Sequence, residues 1–214
     1  MKGEPSAAKF CPMKTVVNVT IRRIVVAAVS LAVALGVKGA ELTAFELIKE
    51  GNEYVSKEAQ NKVIQIRSER SVRGLTPAVW YVTYYDPDAT FKATEVKFGA
   101  GKKMNVKRPA RVWDRIDGTD AALDRKRMRV DSDRAAQIAL KQPLLEKLTI
   151  KATRLVLDRA GDAGLGDKSL PAWRVDLWAA KLSNPNRMTP IGHILLSADD
   201  GKVLVTDLNI NRVD

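Results

Sequence analysis

Cysteine is almost missing from this chain: Cys11 is the only one in 214 residues. It lies within an N-terminal leader, so a processed chain would have no disulfide, thiol nucleophile or cysteine metal site. Histidine is equally scarce. His193 stands alone, without a second nitrogen ligand for zinc. A catalytic pairing would have to join it to Ser197 on the same strand face, without a third group to orient them. The longest apolar run, Ile24 to Val37, has 14 residues, and a spanning helix needs about 20. The glycines at 161–169 do not make a phosphate loop, because Asp167 separates Gly166 from Lys168 and the stretch leads into a strand rather than a helix. Asp199-Asp200 lacks the spacing of a calcium loop. These absences lead us to expect no catalytic residues, no metal and no cofactor.

Charge is plentiful but uneven. The formal net charge is +11, and residues 1–39 carry six of the basic residues and one acid, leaving 30 basic against 24 acidic residues beyond them. The remainder is moderately basic, which favours acidic partners but lacks the density of a nucleic-acid-binding arm. The run Arg125-Lys126-Arg127-Met128-Arg129 has no aromatic within it and acids on both sides, so it reads as a solvated connection rather than a phosphate patch. Arg22-Arg23, the short apolar run and the small residues after it form a secretory signal peptide with cleavage expected before Ala40. Met13 is an alternative start. The chain is therefore expected to be exported, to the periplasm or beyond, with no stable membrane span after cleavage.

The rest reads as two similar halves. Thr43-Ala44-Phe45-Glu46 is a capping box opening a helix over about 44–59. Strands follow at 62–68, 79–85, 91–98 and 103–106, with a glycine hairpin at Gly99-Ala100-Gly101. In the second half Asp131 begins a helix that Pro143 ends. Strands follow at 153–158, 171–178, 191–198 and 202–210, with a hairpin at Asp200-Gly201. Trp80 matches Trp173 at an offset of 93, and Gly101-Lys102 matches Gly201-Lys202 at 100. The expected fold is α+β: two tandem small units, each an α-helix packed on an antiparallel β-sheet. Unit 1 spans 42–107, a linker pinned by Trp113 and Ile116 spans 108–130, and unit 2 spans 131–214.

The stretches Pro171-Ala-Trp-Arg-Val, Ile191-Gly-His-Ile and Ala198-Asp-Asp-Gly-Lys-Val-Leu resemble PepSY-like domains. The first half is similar but departs at Gly99 to Met104. The resemblance implies a helix lying across an antiparallel sheet, a place outside the cytoplasm, and no catalytic residues. Restraint of peptidases and ligand sensing have been proposed for that family.

Alternation divides each tryptophan strand into two faces. Trp80, Val82, Tyr84, Trp173, Val175 and Leu177 are expected to pack under the helices. Tyr81, Tyr85, Arg174 and Trp178 then fall on the opposite face, where aromatics and arginine suit a protein interface. The expected function is non-enzymatic binding of a protein or peptide in the cell envelope, through this face or a free strand edge. The alternative is an inhibitor or chaperone-like partner of a secreted peptidase. Nucleic acid is not an expected partner.

Overall fold

The computed structural model describes residues 42–109, 122–161, 169–181 and 183–213. The leader, Trp113 and Ile116, and most of the glycine-rich loop lie outside these. Alternating β-branched and aromatic residues form strands where the pattern predicts them. In chain order these are β1 (Val63–Ser68), β2 (Val79–Tyr85), β3 (Ala93–Gly99), β4 (Lys102–Lys107), β5 (Ile150–Arg159), β6 (Pro171–Ala180), β7 (Met188–Ser197) and β8 (Val203–Leu208). The hairpin turns before β4 and β8 place Gly101 and Gly201 at φ of 76° and 77°, which only glycine adopts without strain.

The expectation of two tandem helix-on-sheet units is overturned by the pairing. All eight strands form one sheet in the order β4-β3-β2-β1-β5-β6-β7-β8. β1 pairs antiparallel with β5, Ile66 opposite Leu157 and Arg67 opposite Val156. Two four-stranded meanders thus meet through their first strands, and no unit has a sheet of its own.

The helices confirm the single core. α1 (Ala44–Gly51) and α2 (Ser132–Leu140) pack on the same face of the sheet. One apolar cluster includes Leu47 and Ile48 of α1, Trp80 and Val82 of β2, Ala135 and Ala139 of α2, and Trp173 and Val175 of β6. Phe45 of α1 stacks on Trp173 with ring centroids 6.4 Å apart, so the first helix leans on a strand of the other half. The amides of Ala44 and Phe45 donate to Ser132 Oγ and Asp131 Oδ1 at 3.0 and 3.1 Å. Each helix caps itself and touches the start of the other.

The first helix is shorter than its periodicity predicts. It ends at Gly51 and tightens into a 3-10 turn over Asn52–Tyr54. Tyr84 explains this glycine: its hydroxyl donates to the Ile48 carbonyl at 3.0 Å, and a Cβ on Gly51 would run into that hydroxyl. The residues before α2 also enter the core. Leu123 is buried and donates its amide to the Val63 carbonyl. The Val130 carbonyl accepts from Trp173 Nε1 at 2.8 Å. Within the basic run, Arg127 and Arg129 face Asp199 at 3.7 and 3.3 Å.

Candidate functional site

The face of the sheet away from the helices is polar in the first half and carries an apolar cluster around Ala172 and Leu195 in the second, and its register can be read row by row. The central row is Asn105, Lys97, Tyr81, Arg67, Val156, Arg174, Leu195 and Val205, from β4 to β8. Tyr81 and Arg174 therefore share a row, three strand spacings or about 14 Å apart. Tyr85 and Trp178 do not join them. β2 and β6 run in opposite directions, so each of these residues lies four positions from the row toward opposite ends of the sheet, about 13 Å along its strand in each case.

Near Tyr81 the face is an ionic network. The Arg67 guanidinium lies 3.7 Å from the Tyr81 ring centroid, and Lys97 Nζ lies 5.1 Å from it. The Tyr81 hydroxyl donates to Glu69 Oε1 at 2.5 Å. That bond, with Lys97 nearby, holds the Glu69 carboxyl below its ordinary range despite some burial. Glu95 is 1% exposed and faces Arg67 Nη2 and Lys107 Nζ, each at 3.0 Å. A carboxylate this deeply buried needs both partners. At the seam, Gln65 Nε2 donates to Asp158 Oδ2 at 2.9 Å, both residues being buried.

The other half carries a separate set of charged pairs. Asp176 lies between Arg154 and Arg174, at 2.9 and 3.4 Å. His193, opposite Asp176 in the register, has Nδ1 3.7 Å from Asp207 Oδ2. Arg70 lies 5.7 Å from the Trp178 ring centroid. Ser197 is engaged elsewhere, accepting the amides of Asp199 and Asp200 at 3.1 and 3.3 Å. Tyr81 and Arg174, read from the sequence as interface residues, are thus already engaged within the chain. The sequence reading missed Arg67, Glu69 and Glu95. Their signal was the polar residue at alternate positions of β1 and β3.

The edge of the sheet is different. β4 is one of the two terminal strands, and all six of its residues are exposed, whereas β8 at the other end is partly covered. Lys102 and Lys103 form no ion pair with any described residue, Lys103 Nζ lies 5.0 Å from the Tyr54 ring centroid, and Arg108 stands near Asp86, whose carboxyl it helps hold low. Met104 is 59% exposed at the bulge where the register with β3 shifts.

On the helix side, a cavity of about 210 Å³ opens between the start of α1, the start of α2 and the loop at 75–77. Trp80, Leu155, Leu42, Leu75, Pro77 and Leu140 line it, and Asp133 and Gln137 stand on α2 beside it. The Trp80 Nε1 proton is spent on the Pro77 carbonyl at 3.0 Å, so that interior is apolar. Five separate segments build this cavity, so no local motif marks it in the sequence.

Among the described residues no group of three or more His, Cys, Asp or Glu could hold a metal ion. No described helix is long and apolar enough to cross a membrane. No protein-family model, curated protein or solved structure matches this chain.

Proposed function

We propose that this chain is an exported, non-enzymatic binding protein that captures an acidic, extended segment of a partner protein along β4. The observation that carries this is the contrast between the paired charges of the sheet face and the unpaired cations of the edge. A terminal strand offers a row of free backbone donors and acceptors, and lysines on it discourage pairing with neutral or basic strands. An acidic strand meets no such repulsion and gains main-chain hydrogen bonds besides. The regular stretch available after the bulge is Asn105–Lys107, flanked by Lys102, Lys103 and Arg108. The PepSY-like likeness read in the sequence of the second half supports a place in the cell envelope and a ligand-sensing or peptidase-restraining role. An inhibitor or chaperone-like partner of a secreted peptidase is the narrower form of the same reading.

The test is fluorescence polarisation with an eight-residue peptide alternating Glu with Val or Thr, beside its Lys counterpart. The acidic peptide is expected to bind in the micromolar range, roughly tenfold more weakly in 0.5 M salt as screening shortens the reach of the charges. Lys102→Glu with Lys103→Glu should abolish binding without changing the melting temperature, because both side chains are exposed. Equal binding of the two peptides would overturn the proposal.

A further inference from the structure

The cavity between the two helix starts has a size, a lining and a charge that together specify a ligand. Its volume of about 210 Å³ exceeds the roughly 150 Å³ that holds a benzene in an apolar protein cavity. Trp80 and Leu155 form its floor, with no free polar atom on the indole. One ring or a short branched aliphatic group fits inside it.

The mouth decides the sign of the head group. Two helix N-termini point here, which would ordinarily favour an anion, each being worth about half a positive charge. The first amides of α1 are already occupied, as is the Ser132 amide of α2. Asp131 Oδ1 accepts from Phe45 and Ser132 at 3.1 and 2.6 Å, Ser132 Oγ accepts from Ala44 at 3.0 Å, and Glu46 Oε2 accepts from Thr43 at 2.8 Å. Glu46 and Asp131 are thus engaged by backbone amides, and Asp133 is the one carboxylate in the cavity lining. Asp133 is exposed beside the cavity and is bound to no other described side chain. An incoming anion would meet the Asp133 carboxylate, whereas an ammonium would be drawn to it.

We propose that this cavity is a binding site for a small amphiphilic amine: a single ring or branched apolar body inside, and a protonated amino group at the mouth against Asp133. Gln137, one turn further along α2, offers its amide oxygen as a second acceptor. The site is separate from β4 and is independent of what binds there.

Three probes of nearly equal size isolate the terms: benzylamine, toluene and benzoate. Binding is read from the indole N–H resonance of Trp80 in the full chain, assigned with Trp80→Phe. Benzylamine should bind with a Kd on the order of 1 mM, at least fivefold more tightly than toluene and more tightly still than benzoate. In Asp133→Asn the advantage of benzylamine over toluene should disappear while toluene binding persists. Ala136→Leu, which fills the cavity, should remove both, provided the spectrum shows the native fold; Asp133→Asn stands as the test if it does not. No Trp80 shift with any probe, equal binding of benzoate and benzylamine, or an amine preference that survives Asp133→Asn would each overturn the proposal.

Discussion

On one side of the sheet Lys107 of β4 reaches Glu95 of β3; on the other, Asp207 of β8 faces His193 of β7. The two pairs join the third and fourth strands of their halves. Their environments differ more than their chemistry. Glu95 is 1% exposed and shared with Arg67, whereas Asp207 is 73% exposed. The first half of the sheet thus carries a buried ionic cluster and the second a solvated pair. The tryptophans diverge in the same way. Trp80 hydrogen-bonds within its own half, to Pro77, while Trp173 reaches Val130 and stacks on Phe45 from across the molecule. Similar strand order therefore does not mean equal energetic roles.

The sharpest test of this asymmetry is at the tryptophans. Trp173→Ala should cost about 3–5 kcal/mol, the usual range for a fully buried aromatic, and should exceed Trp80→Ala because it also strands the Val130 carbonyl. Denaturant unfolding of the wild type should show a single transition; two transitions would break the one-core description.

The next effect is smaller and confined to the first half. Gly51→Ala should cost about 1–3 kcal/mol by forcing the Tyr84 hydroxyl aside. Adding Tyr84→Phe removes the clashing oxygen, so the double variant should lose less than the sum of the singles. Strict additivity would show that Gly51 is there for another reason.

The ionic pairs come next. Lys107→Met should cost about 1–2 kcal/mol, since it removes one of two cations from a buried carboxylate. Asp207→Asn should change stability by under about 0.5 kcal/mol. Equal effects would erase the distinction between the buried and solvated pairs.

Acid should separate the halves more gently. In the first half, a backbone hydrogen bond from Thr43 lowers the Glu46 carboxyl, and the Tyr81 hydroxyl lowers Glu69. Asp86 is raised by burial but lowered further by Thr94 and the Asp88 amide, for a net depression. In the second half the Lys202 amide lowers Asp200. A carboxyl depressed on folding stabilises the native state above its unfolded value and loses that contribution as pH falls through the folded one. Melting temperature should therefore fall below about pH 4, and Asp86→Asn should flatten that decline more than Asp200→Asn does.

Most of the strands were legible in the sequence, because alternation of period two is a direct imprint of a face against a core. β2 begins and ends where Val79 and Tyr85 predict, and the faces of Trp80 and Trp173 follow. The seam was not read, although one signal existed. Leu155-Val156-Leu157 is a continuous apolar run, buried on both faces, which suits a central strand and is out of place at the edge of a small unit. Alternation reports which face a residue takes, but not which strand lies beside it. That is why Tyr81 and Arg174 were correctly placed away from the helices, yet Tyr85 and Trp178 could not be seen to point to opposite ends. The ionic network and the cavity depend on such non-neighbouring pairings, so neither could be assembled from local patterns.

The seam between β1 and β5 also sets an order of events. Hairpins within each half close over short loops, but Ile66 meets Leu157 only after a loop of about ninety residues has closed, an entropic cost incurred before the contact returns anything. Each meander can therefore gather early, with the seam joining late. Until it does, the chain has four sheet edges instead of two, and the inner edges β1 and β5 are its most apolar ones. The interval before the halves meet is when this protein is most open to pairing with another copy of itself.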